Sequence, residues 1–165
     1  MNDSITEMVE REKIKDVHLR YCRGIDRMDW ELVQSCYHPD GLDHHDGFSG
    51  TATEFIAWIQ PILAGLESTT HFVGNQLVEI TGDTAWAEHY TQSINRRRRA
   101  DGVAFDTFVN MRYLDRLERR NGDWRIKDRR MTIDSERVDQ LVSEPRSQTD
   151  LPLSRRDRTD PSYAR

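Results

Sequence analysis

The sequence predicts one α+β domain in which three N-terminal helices sit inside a strongly curved, mainly antiparallel sheet. Three observations carry that reading. Apolar residues recur at helical spacing as far as Leu66. After Ser68 the period changes to alternation, in segments separated by tight-turn signals. Helices and strands are therefore segregated along the chain rather than alternating β-α-β, which is the pattern of α+β domains. A sheet curled around helices leaves a cavity between the layers, the default place for a small hydrophobic ligand.

The first helix opens at Ser4, where Ser4 and Glu7 have the spacing of a capping box. Ile5, Met8, Val9, Ile14, Val17, Tyr21 and Ile25 follow at near-helical period. Gly24 and Arg27-Met28-Asp29 end the helix near Asp26. Asp29 caps a short second helix with Trp30, Val33, Cys36 and Tyr37 on its buried side, and His38-Pro39-Asp40-Gly41 stops it as a turn. Residues 42–50 read as a short strand and a loop. Thr51 or Thr53 caps a third helix, whose apolar face is Phe55, Ile56, Trp58, Ile59, Ile62, Leu63 and Leu66, with Pro61 as a bend.

Strands follow at 70–80, 84–96, 103–119 and 124–133, with turns at Thr81-Gly82-Asp83 and Asn121-Gly122. Phe105, Thr107, Val109, Met111 and Tyr113 share one face of the final hairpin, and Phe108 and Leu114 the other. One face covers the helices. The other is too apolar for plain solvent, which points to a contact between subunits. The domain is read as residues 1–135. Residues 136–165 are polar, with Pro145, Pro152 and Pro161. This tail is expected to be disordered or laid across a neighbouring subunit.

The 165 residues leave room for a real core. The formal net charge is −5, which argues against nucleic-acid binding by bulk electrostatics. Arg96-Arg97-Arg98-Arg99 has no aromatic platform beside it and reads as a solvated hairpin tip. There is no apolar run of about 18 residues, so no membrane span is expected. The N-terminus lacks the basic-then-apolar order of a secretory signal. With Cys22 and Cys36 read as reduced thiols, the expectation is a cytoplasmic protein.

Gly74, Gly82 and Gly102 do not form a phosphate loop, and no nucleophile elbow or dinucleotide fingerprint occurs. No cofactor is expected. Asp43-His44-His45-Asp46 invites a metal, but adjacent strand residues point to opposite faces, so no metal site is assigned. One of these histidines remains a candidate for the pocket mouth. His18 and His89 read as structural, His18 with the option of a polar group in the pocket.

Tyr21-Cys22-Arg23-Gly24-Ile25-Asp26-Arg27-Met28-Asp29-Trp30 resembles the first-helix motif of the SnoaL-like branch of the nuclear transport factor 2 superfamily. Tyr37-His38-Pro39-Asp40-Gly41, Thr70-His71-Phe72-Val73-Gly74-Asn75 and Gly122-Asp123-Trp124-Arg125-Ile126 with Arg129-Arg130 resemble its later motifs. The resemblance covers roughly residues 5 to 135 and implies a cone-shaped, cystatin-like fold. That superfamily holds dehydratases, isomerases, cyclases, dehydrochlorinases, dioxygenase small subunits and non-enzymes, so fold alone does not choose a function. Within it, the chain is most similar to the bile-acid dehydratases, scytalone dehydratases and hexachlorocyclohexane dehydrochlorinases.

In those enzymes a helix-borne aspartate orients a histidine that abstracts a proton. The resemblance assigns these roles to Asp26 and His71, a pocket hydroxyl to Tyr21, and an arginine near the aspartate to Arg129. The chemistry is sound in its own right. A neutral imidazole is a competent base near neutral pH, and a carboxylate on its other nitrogen fixes the tautomer and stabilises the imidazolium. Each residue also has a plain structural reading. Asp26 could cap the next helix or pair with a surface arginine, and His71 could be a satisfied strand histidine. Tyr21 could be core, and Arg129 a solvated strand-end charge.

The expected function is a cofactor-independent lyase (dehydratase) or isomerase acting on a small, ring-containing substrate, with Trp30, Phe55, Trp58 and Phe72 lining the pocket. The alternatives are a non-catalytic small subunit of a ring-hydroxylating dioxygenase and a plain ligand-binding protein. A homo-oligomer is expected, a trimer ahead of a dimer because the similar dehydratases are trimers. The expected partners include no nucleic acid and no membrane.

Overall fold

The computed structural model describes residues 3–142 and 152–164. In chain order the elements are α1 (Asp3–Asp26), α2 (Trp30–Ser35), β1 (Tyr37–His45), β2 (Phe48–Thr51), α3 (Ala52–Ala64), β3 (Ser68–Thr81), β4 (Thr84–Arg98), β5 (Ala104–Arg120) and β6 (Asp123–Gln140). The six strands form one curled, mixed sheet in the order β2-β1-β6-β5-β4-β3. Every neighbouring pair is antiparallel except β1 with β6, which is parallel. The α+β architecture is the one the segregated periodicities predict.

α1 buries one stripe: Ile14, Val17, His18, Tyr21, Cys22 and Ile25 are all nearly inaccessible. Its first turns differ from expectation. Ile5, Met8 and Val9 are exposed, Ser4 lies inside the helix, and Glu7 accepts from Arg11 rather than closing a capping box. Asp29 caps α2 by accepting from the Leu32 amide. Thr51 caps α3 in a full capping box with Glu54. Both caps satisfy amides that a helix start leaves without partners.

Two readings are corrected by the sheet. His38-Pro39-Asp40-Gly41 is not a turn but the irregular middle of β1, where the register against β6 jumps between Tyr37 and Leu42. Proline donates no ladder hydrogen bond, and here it sits where the ladder is interrupted. A Cβ on Gly41 would lie 3.0 Å from the Ile126 carbonyl oxygen, so only glycine lets the strands approach. The loop expected before residue 50 is a tight hairpin, with Gly47 at φ +77 and β2 paired to β1.

β6 runs to Gln140, well past 133, because its second half continues to pair with β5 as far as Phe105. Residues 134–140 are mostly polar and exposed, so no apolar alternation marks them in the sequence. The described part of the tail packs on its own chain instead of standing free. Tyr163 donates to Asp29, and Arg158 donates to Asp29 and Glu31. Arg156 donates to the Leu63 and Leu66 carbonyls. Residues 143–151, Pro145 among them, lie outside the described residues. No described helix is long and apolar enough to cross a membrane.

Candidate active site

Asp26 is the last residue of α1, where a carboxylate faces the negative end of the helix macrodipole. It is nonetheless buried, so something must hold it there. Its Oδ1 lies 2.7 Å from His71 Nδ1, and its Oδ2 accepts the His71 backbone N–H at 2.9 Å. One carboxylate therefore fixes both the ring and the strand that carries it. The contact requires Nδ1 to bear a proton, which leaves the Nε2 lone pair for chemistry. β3 bends just beyond, at a bulge between Gly74 and Leu77 with Asn75 at φ 45.

His71 lines a cavity of about 600 Å³ between the helices and the concave face of the sheet. Phe55, Ile59, Leu63 and Leu66 form one wall, and Val109, Met111, Tyr113 and Met131 form another. Ser93, Asn95 and Thr107 add a few polar groups. Mostly apolar walls with a small number of polar groups are the usual make-up of a small-molecule site. Arg97, Arg99 and Glu136 also line it.

Tyr21 reaches the cavity from α1 and packs edge-on against Tyr37 and Tyr113. Burial pushes its hydroxyl well above the ordinary value, with Tyr113 and Asp43 adding to the shift. It stays a neutral phenol and a hydrogen-bond donor.

Arg129 is elsewhere. It is fully buried, does not line the cavity, and pairs with Asp115 through two hydrogen bonds of 2.8 and 2.6 Å. Its guanidinium stacks on Tyr21 and Tyr113, 4.1 and 4.4 Å from the ring centroids. Asp115 accounts for the difference, since a buried guanidinium needs a buried counter-charge and β5 supplies one in register with it. Burial acts to raise the Asp115 carboxyl, but Arg129 outweighs that and holds it well below the usual carboxylate range. His18 and His89 stack beside the pair at 4.2 Å, with His18 Nε2 3.2 Å from Asp115. His18, His89 and Asp115 are near enough to share an ion, but a cation there would meet the guanidinium that already holds the carboxylate.

The aromatic residues divide. Phe55 lines the cavity, and Trp58 stands behind it at 6.1 Å. Trp30 faces a separate groove on the outside of α2. Phe72 is 71% exposed on the convex face, because it alternates with the inward-pointing His71.

Of the two adjacent histidines offered as candidates for the pocket mouth, His45 is the one that lines the cavity. Its Nδ1 is hydrogen-bonded to Asp43 Oδ1. Asp43 is fully buried, and its other oxygen accepts the Tyr37 hydroxyl at 2.5 Å. The signal that separates His45 from His44 is Asp43-x-His45, two residues on one face of a strand, which pairs the carboxylate with His45.

Residues 6–130 match a family described as the SnoaL-like domain. No curated protein sequence matches the chain. Among solved structures, the chain is similar to a putative scytalone dehydratase from Novosphingobium aromaticivorans, at 17% identity and a TM-score of 0.72, over 91% of this chain and 100% of that one. A hexachlorocyclohexane dehydrochlorinase from Novosphingobium barchaimii gives 15% identity and a TM-score of 0.70, over 91% and 99%. A protein of unknown function from Mycobacterium tuberculosis gives 25% identity and 0.68, over 81% and 77%. At these identities the dehydratase and dehydrochlorinase likenesses establish the fold.

Proposed function

We propose that this chain, which belongs to the SnoaL-like domain family, is a cofactor-independent lyase, a dehydratase in the first instance and an isomerase in the second. Its substrate is a small, hydrophobic, ring-bearing compound. The observation that carries the reading is the 2.7 Å pairing of Asp26 with His71 Nδ1 in a histidine that lines an apolar cavity.

His71 Nε2 takes a proton from a carbon activated by a neighbouring carbonyl. Asp26 holds the ring and stabilises the imidazolium as it forms. Tyr21 donates to oxygen on which negative charge develops, between mostly apolar walls. The carbanion or enolate then expels a β-leaving group, or is reprotonated at another carbon. Arg129 acts through Tyr21 and Tyr113, which it holds in place, and not on the substrate.

The proposal includes a homo-oligomer, a trimer ahead of a dimer, built through the apolar convex face. It also places the protein in the cytoplasm, which the two buried free thiols Cys22 and Cys36 suit.

The test is turnover of ring-bearing β-hydroxy ketones, followed by the rise of conjugated absorbance. His71→Ala is expected to lose about 10²–10⁴-fold in rate while still binding ligand. Asp26→Asn should lose nearly as much, since it cannot stabilise an imidazolium and favours the wrong tautomer. Tyr21→Phe should lose about 1–4 kcal/mol of transition-state stabilisation. A His71→Ala protein as fast as the wild type would overturn the mechanism.

A further inference from the structure

We infer that His45 is the general acid of this cavity, and that the group the enzyme expels is therefore an oxygen, as in a ring-bearing β-hydroxy carbonyl compound, and not a halide. The inference rests on the reading of His71 as the base.

Four observations point to His45. Its carboxylate partner Asp43 is completely buried and has both oxygens engaged, one by the His45 ring and one by the Tyr37 hydroxyl. A carboxylate so placed is there to hold the imidazole, because it has no other charged partner among the described residues. The ring itself is fixed, stacked on Phe55 at 4.5 Å and tilted against Tyr113 at 5.6 Å, both of them cavity walls. With Nδ1 on Asp43, the remaining nitrogen is Nε2, which has no partner among the described residues and is not sealed away as a buried unpaired atom. Finally, β1 and β3 are separated in the sheet by β6, β5 and β4, yet His45 and His71 line one cavity. The curl of the sheet brings two histidine–carboxylate pairs to the substrate from opposite sides.

Two such pairs suit an elimination that needs both a base and an acid. The base accounts for the carbon proton in either case. The acid is needed only when the departing atom is a poor leaving group, and hydroxide is one while chloride is not. In the step proposed, His71 Nε2 receives the proton of the C–H bond, whose electron pair becomes the new C=C bond. The C–O bond breaks, its pair remains on oxygen, and that oxygen takes the Nε2 proton of the His45 imidazolium to leave as water. His45 ends neutral, with its Nδ1–H still on Asp43, and His71 ends as an imidazolium. Solvent entering from the side of Arg97, Arg99 and Glu136 returns the proton from one ring to the other.

The test compares two leaving groups on one carbon skeleton. The first series is a panel of ring-bearing β-hydroxy ketones, and the second is their para-nitrophenyl ethers, whose phenolate departs without a proton. His45→Gln is expected to lower kcat/KM for the hydroxy series by about 10²–10⁴-fold and for the ether series by less than about 10-fold. His71→Ala should depress both series and abolish exchange of the α-hydrogen in D2O. Asp43→Asn is a second variant, in case His45→Gln does not fold, and should spare the ether series in the same way. Equal losses in the two series, with α-exchange still dependent on His71, would overturn the role of His45 alone. Absence of both turnover and α-exchange in the wild type would overturn the reading of His71 and this inference together.

Discussion

Asp26 and Arg129 illustrate what a residue can and cannot announce. An aspartate at a helix C-terminus works against the helix dipole, so its position in the sequence already asks for a compensating partner. His71 meets that need with ring and backbone donors at once. Arg129 carried no such local signal, because its partner Asp115 is on the adjacent strand and becomes its neighbour only once β5 and β6 pair. The pair has a definite energetic signature. Asp115→Ala would leave a guanidinium buried without its counter-charge, and should cost about 3–5 kcal/mol. Urea denaturation checks this, and an unchanged midpoint would mean that the guanidinium is not held by that carboxylate.

The strands explain both the cavity and the face turned away from it. Inward residues of β4 and β5 supply both core and cavity: Ala85, Ala87 and Leu117 are buried in the core, whereas Ser93, Asn95, Val109 and Met111 line the ligand space. The convex face is unusual for a strand pair in water. Phe72, Leu77, Tyr90 and Ile94 are all substantially exposed, and Ile94 lies opposite Phe108 in register. An exposed apolar sheet face of this kind is more often covered by a partner than left wet. Sedimentation should therefore give an oligomer at micromolar concentration, and Ile94→Asp should shift it towards monomer with the fold intact. A monomeric wild type would remove the proposed interface.

At the scale of the molecule, the buried histidines set how stability follows acidity. Burial lowers His18, and burial together with its neighbour His18 lowers His89 to about 2 from an ordinary 6.5. The folded protein holds both rings neutral, whereas the unfolded chain protonates them below about 6.5. Their contribution is thus complete above that pH and is lost progressively as the pH falls towards the folded values. The loss amounts to at most about 1.4 kcal/mol per pH unit for each ring. Between about pH 6.5 and 5 carboxylates stay largely ionised even in the unfolded chain, so this window reports on histidines. The urea midpoint should fall across it, and His89→Gln should flatten the slope. Identical slopes in the two proteins would mean that His89 is protonated or hydrated in the folded state.

Periodicity settled the segregation of helices from strands, the four long antiparallel strands and the turns at Gly82 and Gly122, because each depends on spacing within one short segment. The motif resemblance picked out Asp26 and His71 because each sits within its own short motif, Tyr21–Trp30 and Thr70–Asn75. What lay beyond the sequence was relational. The parallel pairing of β1 with β6, the Asp115–Arg129 lock, the turning outward of Phe72, the placing of Trp30 away from the cavity, and the choice of His45 over His44 for the cavity all follow from which strands become neighbours and how far the sheet curls. A strand residue changes from wall to surface with a shift of one position, and a carboxylate changes from solvated to buried with the approach of one strand. Such outcomes are fixed by the packed whole, and a local pattern carries no trace of them.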